Sequence, residues 1–335
     1  MIVKGICKEN NKACLLGPSL LRQINKNVSP IIMPTTEDKK IAINIDLSKY
    51  KINFVQDKID ESYINSCKLD IECIKPGNVN KVSGHHDTSC IDFIKSYEST
   101  SRIISSSEFS LGEKIEKSIL ITQENVKTNT NLGIILLCSL FVQSLSLKKD
   151  LCLEEAIEYV VVNSTKEDVS KICNSINIAK PGGLGKHSNY DVSSDPDISL
   201  LDIMKISSNY DLISKQYAFF FEDILRFIVP TLDNAFHRIK DRKLAISYTF
   251  LKILEKYPDS HICRKYDDKI AKKTSNEASD LIKILDGDTR HESWGKKLMS
   301  LDNHFKMARV NPGTTADLLV VSMMIYDYFF GLPNR

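Results

Sequence analysis

"RVNPGTTADLLVVSMM", Arg309–Met324, joins two kinds of chemistry in one short stretch. Its second half is apolar and free of Gly and Pro, the composition of a helix that belongs in a core. Its first half crowds Asn311, Pro312, Gly313, Thr314 and Thr315 into the turn that starts this helix. Asn311 reads as the N-cap, with Pro312 at the first helical position. Asp317 falls in the second turn, too deep to cap. It shares an inward stripe with Val321, Met324 and Tyr328 at helical spacing. A carboxylate on an inward face requires a cation, a donor or a metal. The plain alternative is a buried acid satisfied by a lysine or a helix end.

The same helical period runs outward from here through most of the chain. "DESYINSCKLDIECI" (Asp60–Ile74), "LEEAIEYVVVNS" (Leu153–Ser164) and "YDLISKQYAFFFEDILRFIV" (Tyr210–Val229) all repeat apolar residues at steps of three and four. Strand-like alternation is scarce. The expected fold class is all-α, a single multi-helix globular domain of more than ten helices over residues 57–335. Residues 1–56 differ: "SPIIMPTTEDKKIAINIDLSKYKINF" (Ser29–Phe54) mixes prolines with some alternation. They read as a small N-terminal appendage, irregular or holding one or two short strands.

Bulk composition narrows the function. The 335 residues are 42% hydrophobic, enough for a sizeable core. Lys+Arg 45 nearly balances Asp+Glu 43, so no basic field argues for nucleic acid. The nine cysteines include no Cys-x-x-Cys pair, and no secretory signal opens the chain. Reduced thiols in a cytoplasmic protein are expected. The most apolar run, "LGIILLCSLFVQSLSL" (Leu132–Leu147), is shorter than the ~20 residues of a membrane span. It carries Gln143 and three serines, so it reads as a buried helix and the chain as free of the membrane.

Polar clusters like the one at Asn311 recur beside helices. They lie at "IKPGNVNKVSGHHD" (Ile74–Asp87), "KTNTNLG" (Lys127–Gly133) and "KPGGLGKHSNYDV" (Lys180–Val192). A helix start leaves free N–H groups and partial positive charge, which suits an anion. Any one cluster is explained by turns and caps alone; several in one helical chain point to a shared phosphate-rich pocket. Asp211 heads a second inward stripe through Ser214, Ala218, Phe221, Leu225 and Ile228, and Glu72 and Asp87 flank "KPGNVN". Carboxylates beside phosphates suit Mg²⁺, which takes one or two protein acids plus phosphate oxygens and water. "GGLGKHS" fails as a Walker loop, because Lys180 stands where its first Gly belongs. "HHD" is too short for a zinc site. No Gly-x-Ser-x-Gly elbow and no dinucleotide fingerprint is present.

Taken in order, "LDIECIKPGNVN", "HHDTSCIDF", "TNTNLGIILL", "GGLGKHSNYDV", "LLDIMKISSNYDLISKQYAFFF", "DSHICRKY" and "NPGTTADLLVVS" resemble the triphosphoribosyl-dephospho-CoA synthase family over about Asp57–Phe330. The resemblance implies an all-α, Mg²⁺-dependent enzyme. It moves the triphosphoribosyl part of ATP to the ribose 2′-hydroxyl of 3′-dephospho-CoA or a related acceptor, and adenine leaves. The product is the precursor of the prosthetic group of citrate lyase-type acyl carrier proteins. Within it, Asn311, Thr314 and Thr315 are assigned to phosphate binding, with Asn129 and Asn131 as further donors. Asp87, Asp211 and Asp317 are the candidates for Mg²⁺ ligand or general base, and Glu72 is the next metal candidate. Lys75, His86, Lys186, Arg264 and Lys265 are available to neutralise phosphate charge, although Arg264 and Lys265 equally fit a solvated helix face. His187 and His261 read as structural. A homo-oligomer is compatible with this reading. The alternatives are a metal-dependent ribosyl or nucleotide hydrolase on the same scaffold, and a nucleotide-binding protein without turnover.

Overall fold

A computed structural model describes residues 45, 47, 50–82, 89–180, 198–288 and 290–333. The chain divides into a first unit, Met1–Ala42, which lies outside these residues, and a second, Ile43–Arg335, which contains all of them. The second unit is all-α, as its period requires. Among the described residues there are fourteen α-helices and no strand, only one isolated bridge between Lys51 and Cys152. The strands considered for residues 29–54 fall largely outside the described residues.

The helices are α1 (Gln56–Glu72), α2 (Cys90–Ser105), α3 (Leu111–Val126), α4 (Leu132–Leu145), α5 (Leu153–Val162), α6 (Lys166–Ala179) and α7 (Leu200–Ser207). They continue as α8 (Leu212–Ala218), α9 (Val229–Arg238), α10 (Arg242–Lys256), α11 (Ser260–Lys265), α12 (Asp268–Asp286), α13 (Trp294–Met307) and α14 (Gly313–Phe330). Local chemistry sets several of their starts. Ser89 with Asp92, Ser110 with Glu113 and Thr165 with Asp168 form reciprocal capping boxes that satisfy the first N–H groups of α2, α3 and α6.

Two helices are apolar on nearly every face and therefore go inside. α14 buries Leu318 through Tyr326 without a break, and α4 buries Ile134 through Val142. They pack on each other, and α1, α9 and α10 also pack on α14 while α3 and α5 pack on α4. Each fully buried Leu, Val or Ile along this pair contributes about 1.5–3 kcal/mol of transfer free energy. Among the described residues no helix is long and apolar enough to cross a membrane, and α4 ends at Leu145.

Two details differ from expectation. α14 begins at Gly313, with Pro312 as its N-cap and Asn311 outside the helix. The Asn311 side chain is engaged elsewhere, as described below. The apolar period over Tyr210–Val229 is not one helix. Phe220 and Phe221 take positive φ (53° and 63°), and a π-helical turn, Ile224–Ile228, leads into α9. The break lets Phe221 enter the core completely while Phe219 stays exposed; a continuous helix has no room to bury three successive phenylalanines on one face.

Candidate functional site

The openings of the two core helices meet. A cleft of about 400 Å³ lies between the start of α4 (Asn129, Asn131, Gly133) and the start of α14 (Asn311, Thr314, Asp317). His261 and Lys265 of α11, Asn78 of the loop after α1, and Phe93 of α2 complete its walls. His261 and Lys265 sit one helical turn apart and so share a face.

Asp317 is the centre of the cleft. Gly133 gives it room: a Cβ on that residue would lie 2.1 Å from Asp317 Oδ2. The Asp317 carboxyl, half-buried where it lines the cleft, has no hydrogen bond or ion pair among the described residues. Burial pushes its proton affinity well above the usual carboxylate range, and the negative charges of Asp259 and Asp70 push the same way. Lys75 and Arg264 oppose them only in part. An acid so placed gains from a cation or a hydrogen-bonded ligand.

Buried polar chains hold the cleft walls and decide which atoms face the ligand. Lys75 is fully buried, 2.7 Å from Asp70 Oδ1, and its ammonium donates to Asn78 Oδ1 at 2.6 Å. Because an ammonium has no acceptor, the Asn78 amide is fixed with Nδ2 pointing away. That Nδ2 donates to Asn311 Oδ1 at 2.9 Å. The Asn311 amide is thereby fixed too, with its own Nδ2 left as a donor. At α4 the Leu132 N–H donates to Asn129 Oδ1 at 3.2 Å, so Asn129 likewise keeps its Nδ2 donor. The loop itself is pinned from behind: Gly77 N donates to Asp302 Oδ1 at 2.9 Å, and Lys306 donates to the other oxygen at 2.9 Å. Gly77 has φ +81° and the Val310 carbonyl 2.6 Å from where a Cβ would stand, so a side chain there does not fit.

Asp259, wholly buried, joins α11 to α14. Its Oδ1 accepts from the backbone of His261 and Ile262 at 2.9 and 3.1 Å, and its Oδ2 accepts from Thr315 N and Oγ1, both at 2.7 Å. The two helix starts are thus held side by side by one carboxylate. The His261 imidazole packs against Gly313, and burial lowers its pKa below the ordinary value. It lines the cleft.

The residues singled out in the sequence fall into three groups among those described, and a fourth set lies outside them. Asn129, Asn131, Asn311, Thr314, Asp317 and Lys265 line the cleft. Lys75 and Thr315 stand behind its wall: Lys75 is enclosed with Asp70, and both polar groups of Thr315 are taken by Asp259. They shape the site from behind: Lys75 is fully buried, and both Thr315 donors are engaged by Asp259. Asp211 and Glu72 do not line it. Asp211 is the N-cap of α8, accepting from Ser214 N and ion-paired with Arg264; its turn lies behind the wall, where Leu212 N donates to Ser260 Oγ at 3.3 Å and Ser260 Oγ to Thr314 Oγ1 at 3.1 Å. The turn after α7 places it as a cap, which the stripe reading overlooked. Glu72 pairs with Lys81 and Lys243 at 2.9 and 3.2 Å and lines a second cleft with Lys68, Arg242 and Asp327. It faces away from Asp317 because it follows Asp70 by two positions on α1. Asp87, His86, Lys186 and His187 lie outside the described residues.

Asp70, Asn78, Asp259 and His261 are the members that residue-by-residue reading passed over or set aside. Asp70 had a signal, since it continues the inward stripe of Tyr63 and Cys67 on α1. Asp259 showed only a capping signal before α11. Nothing in the sequence says that its second oxygen reaches another helix.

A family model for ATP:dephospho-CoA triphosphoribosyl transferase matches residues 56–331. Among solved structures the chain is similar to one described as that of a "putative triphosphoribosyl-dephospho-coA synthase from Archaeoglobus fulgidus", with a TM-score of 0.52 and 17% identity over 69% of this chain and 94% of that one. At that identity the likeness shows a shared fold. No curated protein matches the chain.

Proposed function

The chain belongs to the ATP:dephospho-CoA triphosphoribosyl transferase family and is a pentosyltransferase; from that premise we propose that the cleft between α4 and α14 takes Mg²⁺-ATP and passes its triphosphoribosyl group to the ribose 2′-hydroxyl of 3′-dephospho-CoA. The observation that carries this reading is the open Asp317 carboxyl, set between two helix starts that present amide donors.

The triphosphate lies across the donors. Asn129 Nδ2, Asn311 Nδ2 and the Thr314 hydroxyl supply hydrogen bonds, and Lys265 supplies charge. The partial positive charge of the α4 and α14 starts adds to them.

The donor set fits Mg²⁺. All-oxygen ligation with one or two protein carboxylates is its habit beside phosphates, and Asp317 is an unpaired oxygen donor whose neighbours Asp259 and Asp70 favour an added cation. Asp317 would hold the ion. When bound, it neutralises triphosphate charge.

At the ribose, the acceptor oxygen forms a bond to C1′ as the C1′–N9 bond breaks and its electron pair leaves on adenine. The transition state is oxocarbenium-like, and negative charge near the ring stabilises it. The hydroxyl proton passes to the His261 ring, which lines the cleft, and the departing adenine takes up a proton from water.

Adenine release from Mg²⁺-ATP, measured with and without 3′-dephospho-CoA, tests the reading. Release that requires the acceptor, with a product heavier by the triphosphoribosyl group, is expected. Equal release with water alone identifies a hydrolase instead.

A further inference from the structure

At one end, where Phe93, Asn131, Ile134 and Asp70 line it, the cleft adjoins a void of about 10 Å³ that Tyr63, Cys67, Ser96 and Tyr97 complete. Asn131 is only 4% exposed, and its Oδ1 has no hydrogen-bond partner among the described residues. Native proteins rarely leave a buried amide oxygen bare, because desolvation is then uncompensated.

The direction of that oxygen is fixed from behind. The Thr122 hydroxyl has one proton and gives it to the Ser118 carbonyl at 2.8 Å. Toward Asn131 it is therefore an acceptor, and Asn131 Nδ2 donates to it at 3.2 Å. The amide cannot turn over without setting oxygen against oxygen. The bare Oδ1 is thus an acceptor, in a part of the cleft that Phe93, Ile134 and Asp70 also line. Phosphate, which offers only acceptors, has no use for it. A flat base carrying an amino group does.

We propose that this end of the cleft is a subsite for the purine base, with Asn131 as its specificity-determining residue, Oδ1 accepting from the exocyclic 6-amino group of adenine. The inference rests on the reading of the cleft as the site of ATP. Phe93 and Ile134 flank the purine. A 6-oxo purine brings an oxygen to the same point and is rejected, because a site built to pair one polar group discriminates strongly against its mismatch. The amide originally assigned to phosphate is in this way turned to the base, while Asn129 and Asn311 keep the phosphate side.

ATP and inosine triphosphate, offered together with 3′-dephospho-CoA, provide the test, read as adenine against hypoxanthine released. The intact protein is expected to favour ATP by about a hundredfold or more. Asn131→Leu removes the acceptor at similar volume and is expected to lose about tenfold or more of that preference. Thr122→Val touches no substrate but frees the amide to turn, and is expected to relax the same preference. Asn131→Asp keeps an acceptor and is expected to keep a preference for ATP. Unchanged discrimination in both Asn131→Leu and Thr122→Val, with native circular dichroism, overturns the assignment. If no base is released from either nucleotide, the transferase reading fails. Calorimetric affinities for the two nucleotides on the same four proteins then decide the subsite, with the same expected collapse and the same contrary result.

Discussion

Asp317 works against the stability of the ligand-free protein, and that gives it a signature separate from catalysis. Its folded-state pKa is raised above the ordinary carboxylate value by burial, Asp259 and Asp70. Between the ordinary and the raised value, the folded state holds a proton that the unfolded state has lost. Stability therefore falls as pH rises through that window, and the loss is complete above it. Asp317→Asn removes the charge at constant volume. It is expected to lower transfer at least about a hundredfold. It is also expected to stabilise the ligand-free protein at neutral pH. Thermal melts of both proteins across pH check this: the advantage of the variant should grow as pH rises. Gly133→Ala tests the same carboxyl from the other side. Alanine suits a helix better than glycine, yet its Cβ meets Asp317 Oδ2 at 2.1 Å. Steady-state kinetics should show a large fall in kcat with the helical content unchanged.

Helix starts organise the site, and each is fixed by a residue outside its own helix. The chain Asp70–Lys75–Asn78–Asn311 begins with an ion pair at the end of α1 and ends with one N–H group aimed at the cleft. Asn78→Ala breaks it. Asn311 then loses its orientation and Lys75 loses an acceptor. The expected result is a roughly tenfold higher KM for ATP with little change in kcat, and a stability loss of about 1–3 kcal/mol by denaturant titration. This scale also separates what was legible in the sequence from what was not. The period of α14 and α4, and the cluster of small polar residues at their starts, are one-dimensional signals and were readable. So was the inward position of Asp317. The stripe headed by Asp211 was not one helix face: Asp211 caps α8, and the chain leaves the helix at Phe220 and Phe221. Glu72 was drawn in by its closeness in sequence to the loop, although two steps along α1 turn it away from Asp70. The double attachment of Asp259 to α11 and α14 is a tertiary fact without a local pattern.

At the scale of the whole molecule, the cleft depends on two apolar helices packed against each other with their starts meeting at its walls. Leu318, next to Asp317, is wholly buried. Leu318→Ala is expected to cost about 2–5 kcal/mol, measurable by urea unfolding, while any folded fraction keeps its affinity for ATP. The account stands on the triphosphate lying between the starts of α4 and α14, with the reacting ribose at Asp317. The most direct measurement is the structure of the intact protein with Mg²⁺-ATP and no acceptor, a complex it should hold without turnover. Triphosphate oxygens on Asn129 and Asn311 are the predicted result. Triphosphate in the second cleft, on Lys68 and Arg242 beside Glu72, would contradict the account.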